Sequence, residues 1–280
     1  MRLLVAVDHS EASQAVLTEV AARPWPAQTS VEVLTVVTDS KSAQESASIL
    51  GRAAAELRSQ GLEVSGLSLQ GDPKRMILDR AAETKPDLVF VGSNGGSTIA
   101  RFLLGSVASS VMRHAPCSVE IVRARKGKPA GVRKILLATD GSEFAERAAK
   151  SIAERPWPAG TEVAVLSVVE LHLGNAQALF EAPIVDTENL ESQRAEAMQR
   201  SQNAVAAARE ILSKTFSKVT DSISVLLDGP KNVIVDEAGK NDVGLIVVGS
   251  HGHRGIERFM LGSVSEGVAL GAHCSVEVIR

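Results

Sequence analysis

Apolar residues follow two alternating patterns along this chain. Short, nearly continuous runs such as Val31–Val37 are typical of parallel strands that are buried on both faces. Longer segments between them have apolar residues at helical spacing. In the first half, the patterns predict strands at about 2–8, 31–37, 62–69, 87–92 and 118–123, and helices at about 10–22, 42–60, 74–84 and 105–114. This alternation predicts right-handed crossovers and a doubly wound, parallel α/β sheet of five strands.

The second half of the chain repeats the first. Asp8 corresponds to Asp140, and Pro24-Trp25-Pro26 to Pro156-Trp157-Pro158, at an offset of 132. Further along, Gly92 corresponds to Gly249 at an offset of 157, so the second copy contains 157 − 132 = 25 additional residues. We therefore expect two tandem domains, 1–124 and 132–280, joined by the basic segment 123–131. The additional residues predict a long loop near 171–184 and an extended helix from about 188 to 212.

A glycine motif occurs once in each repeat. Gly92-x2-Gly95 is followed after nine residues by Gly105-Ser106, and Gly249-x2-Gly252 is followed after nine residues by Gly262-Ser263. An apolar strand leads into each motif, and a predicted helix begins at each Gly-Ser. Glycine lets the backbone approach an oxyanion closely, and a helix N-terminus presents N–H groups and the positive end of its dipole. The motif therefore predicts two phosphate-binding loops.

An aspartate is expected to end the first strand of each repeat, Asp8 in the first and Asp140 in the second. If strands one and four are neighbours, Asp8 and Gly92 flank one crevice at the carboxyl ends of the strands, where open α/β sheets bind ligands, and Asp140 and Gly249 flank another. Ligand contact is one role for these aspartates. Capping of the following helix is the alternative, although Ser10 could fill that role instead.

Composition argues against several other functions. The net charge of −3 provides no basic face, and 3% aromatic residues leave few side chains for stacking on bases, so no nucleic-acid partner is expected. No apolar run is long enough to span a bilayer, so no membrane partner is expected. The chain enters a strand almost at once, which predicts no signal peptide. Cys117 and Cys274 occupy equivalent positions and are expected to be reduced, so the predicted location is cytoplasmic.

The aspartates, the glycine spacing and the closing sequence Ala-Pro-Cys-Ser-Val-Glu-Ile-Val-Arg (115–123) resemble the universal stress protein family over nearly the whole chain. This resemblance implies the adenine-nucleotide α-hydrolase-like fold, with strand order 3-2-1-4-5. Family members with the complete glycine motif bind ATP, so the resemblance implies one ATP site in each repeat and a regulatory role in stress. Mg²⁺ would be carried by the nucleotide.

The resemblance also implies a role for each site residue. Asp8 and Asp140 would reach the adenine, Val36 and Val168 would form a wall against the base, and Gly92 and Gly249 would pack on the ribose. Donors to the phosphates would come from Gly95, Gly105, Ser106 and Val107 in the first repeat, and from Gly252, Gly262, Ser263 and Val264 in the second.

The sequence predicts a nucleotide-binding protein rather than an efficient enzyme. The Gly-Lys-Ser/Thr of a Walker loop is absent, and no nucleophile or metal-ligating set stands out, so no catalytic or metal residue is predicted. A slow ATP-hydrolysing enzyme and an interaction scaffold with empty pockets remain alternatives. His251 and His253 in the second loop favour somewhat tighter binding there.

The order 3-2-1-4-5 leaves the fifth strand of each repeat at a sheet edge, which is normally covered or paired. We therefore expect residues 119–122 to lie against 276–279 about a pseudo-two-fold axis. A homodimer could form the same contacts between two chains.

Overall fold

The computed structural model describes residues 1–38, 43–94, 104–125, 127, 130–170, 187–226, 229–253 and 261–280. The strands of the first repeat are β1 (Arg2–Ala6), β2 (Ser30–Val37), β3 (Glu63–Gln70), β4 (Leu88–Gly92) and β5 (Ser118–Val122). Its helices are α1 (Glu11–Ala22), α2 (Ala43–Arg58), α3 (Pro73–Thr84) and α4 (Ser106–His114).

The second repeat has the same order of elements. Its strands are β6 (Lys134–Ala138), β7 (Glu162–Glu170), β8 (Val219–Leu226), β9 (Leu245–Gly249) and β10 (Ser275–Ile279). Its helices are α5 (Glu143–Glu154), α6 (Thr187–Leu212), α7 (Pro230–Lys240) and α8 (Ser263–Gly271). The long helix predicted from about 188 to 212 is confirmed as α6, whereas the loop predicted near 171–184 lies outside the described residues.

All ten strands belong to one sheet, in the order β3-β2-β1-β4-β5-β10-β9-β6-β7-β8. The predicted order 3-2-1-4-5 is therefore confirmed in both repeats. Strand pairs within a repeat are parallel, and the two repeats meet through the antiparallel pair β5–β10. The predicted pairing of the two edge strands is confirmed, and it merges two five-stranded sheets into one.

The hydrophobic core differs between the two faces of the sheet. On the face covered by α3, α4, α7 and α8, buried side chains of both repeats form one continuous cluster that crosses the junction, including Met112, Val119, Val268 and Val276. On the opposite face, each repeat has its own cluster beneath its first two helices. The two repeats thus share an apolar core on one face only.

Charged side chains occupy the junction on the other face. Glu120 in β5 lies directly opposite Glu277 in β10, and both are at most 1% exposed. Arg23, which follows α1, donates to both oxygens of Glu120 over 2.7 and 2.5 Å, and its Nε donates to Glu19 over 2.7 Å. Arg155, which follows α5, donates to Glu277 over 2.9 Å. Glu120 and Glu277, the two buried carboxylates described at the junction, are therefore each paired with a guanidinium.

An aromatic side chain links these charges across the junction. The guanidinium carbons of Arg23 and Arg155 lie 5.4 and 5.0 Å from the centre of the Trp157 ring. Trp157 anchors itself by donating its indole N–H to the carbonyl of Ile152 over 2.8 Å. The Pro-Trp-Pro sequence thus positions the Trp157 ring so that both guanidinium groups can stack on it.

The last residue of each repeat's closing sequence also crosses the junction. Arg123 donates to the carbonyl of Ala269 at the end of α8, and Arg280 donates to the carbonyl of Met112 in α4, both over 2.7 Å. The backbone N–H of each arginine also donates to Ser275 or Ser118 of the other repeat. These reciprocal bonds satisfy helix carbonyls that lack intrahelical partners.

The two cysteines lie beside this junction as free thiols. Burial raises the pKa of Cys117 and of Cys274 to about 11, so both thiols are protonated at neutral pH. The expected packing of the cysteines is confirmed, because Cys274 belongs to the core cluster that crosses the junction and Cys117 packs against it.

Candidate functional site

The strand order brings the predicted site residues of the first repeat together. β1 pairs with β4, so the chain leaving β1 and the glycine loop leaving β4 lie side by side at the carboxyl edge of the sheet. A cavity of about 360 Å³ opens between them. Six of the seven residues predicted for this repeat line it: Asp8, Val36, Gly92, Gly105, Ser106 and Val107. The seventh, Gly95, lies outside the described residues.

The turn after β1 fixes the Asp8 carboxylate. β1 ends at Ala6, so Asp8 lies two residues beyond the strand rather than in its last position. Its Oδ1 accepts bonds from the backbone N–H of Ser10 at 2.9 Å, from the Ser10 hydroxyl at 2.5 Å and from the Ser13 hydroxyl at 2.6 Å. Burial opposes ionisation, but the Ser10 and Ser13 hydrogen bonds lower the pKa of Asp8 below its usual value. The cavity therefore contains an oriented, ionised carboxylate.

Helix capping is done by another residue. The hydroxyl of Ser10 accepts from the backbone N–H of Ser13 and caps α1, and Ser142 caps α5 in the same way by accepting from Ala145. Of the two roles considered for the aspartates, capping thus belongs to the serines. Asp8 and Asp140 act on the turn itself.

The helix after each glycine loop begins without a side-chain cap. Gly105 and Gly262 are the N-cap residues of α4 and α8, and neither offers a side chain to the first turn. The N–H of Gly105 donates to the carbonyl of Ser93 over 2.7 Å, and that of Gly262 donates to Ser250 over 2.8 Å. Both amides thus brace the glycine loop in this structure, and phosphate binding by the two glycines stays a prediction. Ser106 and Val107 follow in the first turn, where N–H groups have no intrahelical acceptor.

One wall of the cavity is apolar. Val36 and Leu34 of β2 face Pro73 and Ile77 of α3 across it. α3 begins at Pro73 because Asp72 caps it by accepting from the N–H of Arg75, and proline at the first position needs no hydrogen bond there. This wall suits a flat apolar surface rather than a charged group.

The glycines that end β4 and β9 have a packing role that sequence reasoning missed. A Cβ built on Gly92 would lie 2.8 Å from the Cβ of Ala12 in α1. A Cβ built on Gly249 would lie 2.8 Å from the backbone and Cβ of Phe144 in α5. Only glycine lets the first helix of each repeat approach the strand this closely.

In the second repeat, the described start of the glycine loop contacts the aspartate. The Oδ1 of Asp140 accepts from the N–H of Ser142 over 2.9 Å, and its Oδ2 accepts from the N–H of His253 over 3.3 Å. The His253 ring Nε2 also lies 2.9 Å from the carbonyl oxygen of Asp140. Gly252 passes so close that a Cβ there would lie 2.4 Å from Asp140 Oδ2. The loop of the second repeat is thus fastened onto its aspartate.

Val168, Ser263 and Val264 occupy positions equivalent to Val36, Ser106 and Val107. Val168 lies in β7, and Ser263 and Val264 begin α8 after Gly262. Val168 and Val264 pack against the core cluster that crosses the junction.

Several lining residues of the first site were not predicted. Ser10 and Ser13 hold Asp8, and the spacing Asp-x-Ser-x2-Ser was the available signal for them. Pro73 and Ile77 complete the apolar wall, and the correspondence of Pro73 with Pro230 was the only hint of their importance. Within the described ranges, no group of three or more His, Cys, Asp or Glu residues is arranged to hold a metal ion.

No helix in the part of the chain that the structure describes is long and apolar enough to cross a membrane.

Known proteins resemble this chain in sequence and in fold. The model of the universal stress protein family matches residues 1–123 and 131–280. A universal stress protein of Mycobacterium tuberculosis is 28% identical over 196 residues, which cover 69% of this chain and 62% of that relative. One from Methanocaldococcus jannaschii is 31% identical over 149 residues, covering 53% of this chain and 82% of the relative. The match thus spans less than two thirds of the mycobacterial protein.

A solved structure extends the likeness to the whole fold. The crystal structure of a universal stress protein from Archaeoglobus fulgidus covers 100% of this chain and 96% of its own, with a TM-score of 0.67 and 19% identity. The tandem arrangement of two α/β units is therefore shared over the full length. By its two matches to the family model, this chain belongs to the universal stress protein family.

Proposed function

We propose that this protein binds ATP, with one adenine-nucleotide site in each repeat, and that it acts as a regulatory module in the stress response. The observation that carries the proposal is the first-repeat cavity, where an oriented carboxylate, an apolar wall and an uncapped helix start line one space of about 360 Å³. These three surfaces match the amine-bearing edge, the ring face and the phosphates of ATP.

The phosphates would lie at the start of α4. The first N–H groups of a helix are unsatisfied and carry the positive end of the dipole, so an anion is favoured there. Ser106 and Val107 would donate these N–H groups, and the exposed Ser106 hydroxyl would add a further donor. Gly105 contributes by holding the loop in place through its bond to Ser93. Gly95 would add an N–H from the loop.

The base would lie against Val36. β2 presents this side chain to the cavity, and Ile77 faces it from α3. Asp8 accepts three protein hydrogen bonds at Oδ1, so Oδ2 is the oxygen through which it would accept a bond from the exocyclic amine of adenine. An ionised carboxylate repels the carbonyl that guanine has at the same position. Gly92 would contact the ribose, in addition to its packing role against α1.

The equivalent residues of the second repeat would form the second site. They are Asp140, Val168, Gly249, Gly252, Gly262, Ser263 and Val264. Mg²⁺ would enter bound to the nucleotide, whose phosphates supply oxygen ligands.

The direct test introduces a charge where the phosphate is expected. Ser106→Glu and Ser263→Glu place a carboxylate in the first turn of α4 and α8, a position where helices tolerate acidic residues well. Both serines are exposed, so the fold should persist. The double variant should lose ATP binding measured by isothermal titration calorimetry. The matched control, Ser106→Gln with Ser263→Gln, has side chains of similar size without the charge and should retain binding.

Undiminished ATP binding in the double glutamate variant would overturn the assignment. The same preparations separate a binder from an enzyme, because chromatography of the incubated nucleotide detects any ADP released. Mass spectrometry of the small molecules freed on denaturation of the purified wild-type protein would show whether a nucleotide is retained.

A further inference from the structure

Side chains of the second repeat hold the start of its glycine loop. In the second repeat, the ring of Phe144 in α5 lies 5.0 Å, centre to centre, from the ring of His251. The hydroxyl of Ser142 lies 3.4 Å from the carbonyl oxygen of His251, and the His253 ring lies 2.9 Å from the carbonyl oxygen of Asp140. The segment 251–253 is therefore fastened at both ends to the turn that follows β6.

The first repeat lacks the side chains that make this latch. Its residues at the positions of Phe144, His251 and His253 are Ala12, Asn94 and Gly96. Alanine and glycine provide no ring for stacking and no imidazole to reach a carbonyl. The stacking on Phe144 and the contact of an imidazole with the aspartate carbonyl therefore have no counterpart among the side chains of the first repeat.

Among the described residues, the two aspartates have different partners. Asp8 accepts a hydrogen bond from the hydroxyl of Ser13 in α1. The equivalent residue in the second repeat is Ala145, which has no hydroxyl. Asp140 instead accepts the N–H of His253 at Oδ2, directly beneath Gly252. The oxygen of Asp140 that corresponds to the base-reading oxygen of Asp8 is thus engaged by the loop.

We propose that His253 makes the two nucleotide sites unequal: it latches the second loop onto Asp140, so that the first site fills at lower ATP concentration and the second fills only when the latch opens. This inference rests on the proposed function and reverses the tighter second site expected from the loop histidines. His253 is a positioning residue, since it acts through the loop and Asp140.

The test measures each site by itself. Ser263→Glu leaves only the first site and Ser106→Glu leaves only the second, and ATP titration calorimetry on each gives separate affinities. The first site should bind more tightly. Adding His253→Gly to the Ser106→Glu chain should strengthen ATP binding at the second site about tenfold, which corresponds to about 1.4 kcal/mol.

Two further variants separate a latch from a general structural role. His253→Gln retains a side-chain N–H donor and should keep the second site within about threefold of its original affinity. Phe144→Ala should strengthen binding in the same direction as His253→Gly, because it releases the other end of the latch. GTP supplies a second readout, since opening the latch frees Asp140 and should increase the preference for ATP over GTP at the second site.

The outcomes are distinguishable. Equal affinities at the two sites would overturn the inference but not the proposed function. Weaker ATP binding in His253→Gly would do the same, since the latch would then preassemble the second site instead of blocking it. Absence of ATP binding at both sites in the wild-type chain would overturn the proposed function, and the inference with it.

Discussion

Replacement of Arg23 by leucine tests the charged junction between the repeats. Arg23 is 5% exposed, makes two bonds to Glu120 and one to Glu19, and stacks on Trp157 of the other repeat. In Arg23→Leu, Glu120 would stay buried without its cation, directly opposite Glu277. Breaking one partner of a buried ion pair costs about 3–5 kcal/mol, a large share of the roughly 5–15 kcal/mol that stabilises a folded domain.

The pH dependence follows from the same carboxylate. Burial raises the pKa of Glu120 to about 7 from an ordinary value of 4.5, although Arg23 lowers it. The contribution of Glu120 to the free energy of unfolding of the wild-type protein should therefore be fully present below about pH 4.5. It should be lost as the pH rises through about 7. Without Arg23 the pKa of Glu120 rises further, so the cost of Arg23→Leu should be large at pH 8 and much smaller at pH 5.

The assay is urea unfolding of the full chain, followed by circular dichroism, at pH 5 and pH 8. Arg147→Leu is the matched control, because Arg147 pairs with Glu143 on the surface of α5, where the two side chains are 49% and 71% exposed. That variant should lose less than about 1 kcal/mol at either pH.

A double variant makes the reasoning sharper. Arg23→Leu with Glu120→Leu removes both charges, and replacing a buried pair by apolar residues is often neutral or stabilising. We expect it to recover most of the stability that the single variant loses at pH 8. A loss that is equal at both pH values, or a double variant no more stable than Arg23→Leu, would refute the account of an uncompensated carboxylate.

Two other predictions concern the site and its glycines. Asp8→Asn keeps an acceptor for Ser10 and Ser13 but replaces the other carboxylate oxygen by an NH₂ donor. The free energy of ATP binding at the first site should therefore weaken by about 1.5–3 kcal/mol, and GTP should gain relative to ATP. Calorimetry with both nucleotides checks this, and unchanged relative affinities would give Asp8 a purely structural role. Gly249→Ala should destabilise the protein by about 1–3 kcal/mol, because the new Cβ would clash with the Phe144 backbone. The control Gly51→Ala lies in the middle of α2 with no atom within 4 Å of the new Cβ, and it should stabilise the protein by about 0.5–1 kcal/mol. Equal urea midpoints for the two variants would contradict the packing role of Gly249.

The strands could be predicted because they follow from repeated local patterns, whereas their order, 3-2-1-4-5, came from the family resemblance. Buried runs such as Val31–Val37 identify strands, and the correspondence of the two halves supports each assignment twice. The edge pairing followed from the order alone, since an apolar fifth strand such as Ser118–Val122 needs a partner. Periodicity was thus enough for the strands, while the pairing also needed the order that the resemblance implies.

The charged junction could not be predicted in the same way. Glu120 is a polar residue in an apolar strand, and its partner Arg23 lies 97 positions earlier in the sequence. Nothing in periodicity relates two residues at that separation. The same two residues recur in the second repeat as Glu277 and Arg155. Their recurrence indicates a shared role in both repeats, but it fits ligand binding as well as it fits a buried ion pair.

The glycines of the site show a different limit. Gly92 and Gly105 were expected to contact the nucleotide, yet the structure gives each a further role, in close packing against α1 for Gly92 and in a bond to Ser93 for Gly105. Sequence shows that a glycine is required and does not show which neighbour requires it. Only the three-dimensional approach of Ala12 separates the two explanations for Gly92.

The two halves of the chain agree at the junction and differ around the sites, and symmetry gives a physical reason. A two-fold axis makes every contact at the junction occur twice, once in each direction. Arg123 therefore donates to the last helix of the second repeat, and Arg280 donates to the last helix of the first repeat in the same way. A change in one copy would leave a mismatched contact in the middle of the sheet. His253, one of the loop residues that differ, contacts Asp140 of its own repeat. A change at such a position leaves the junction intact, and the inequality that we propose between the two sites requires this independence.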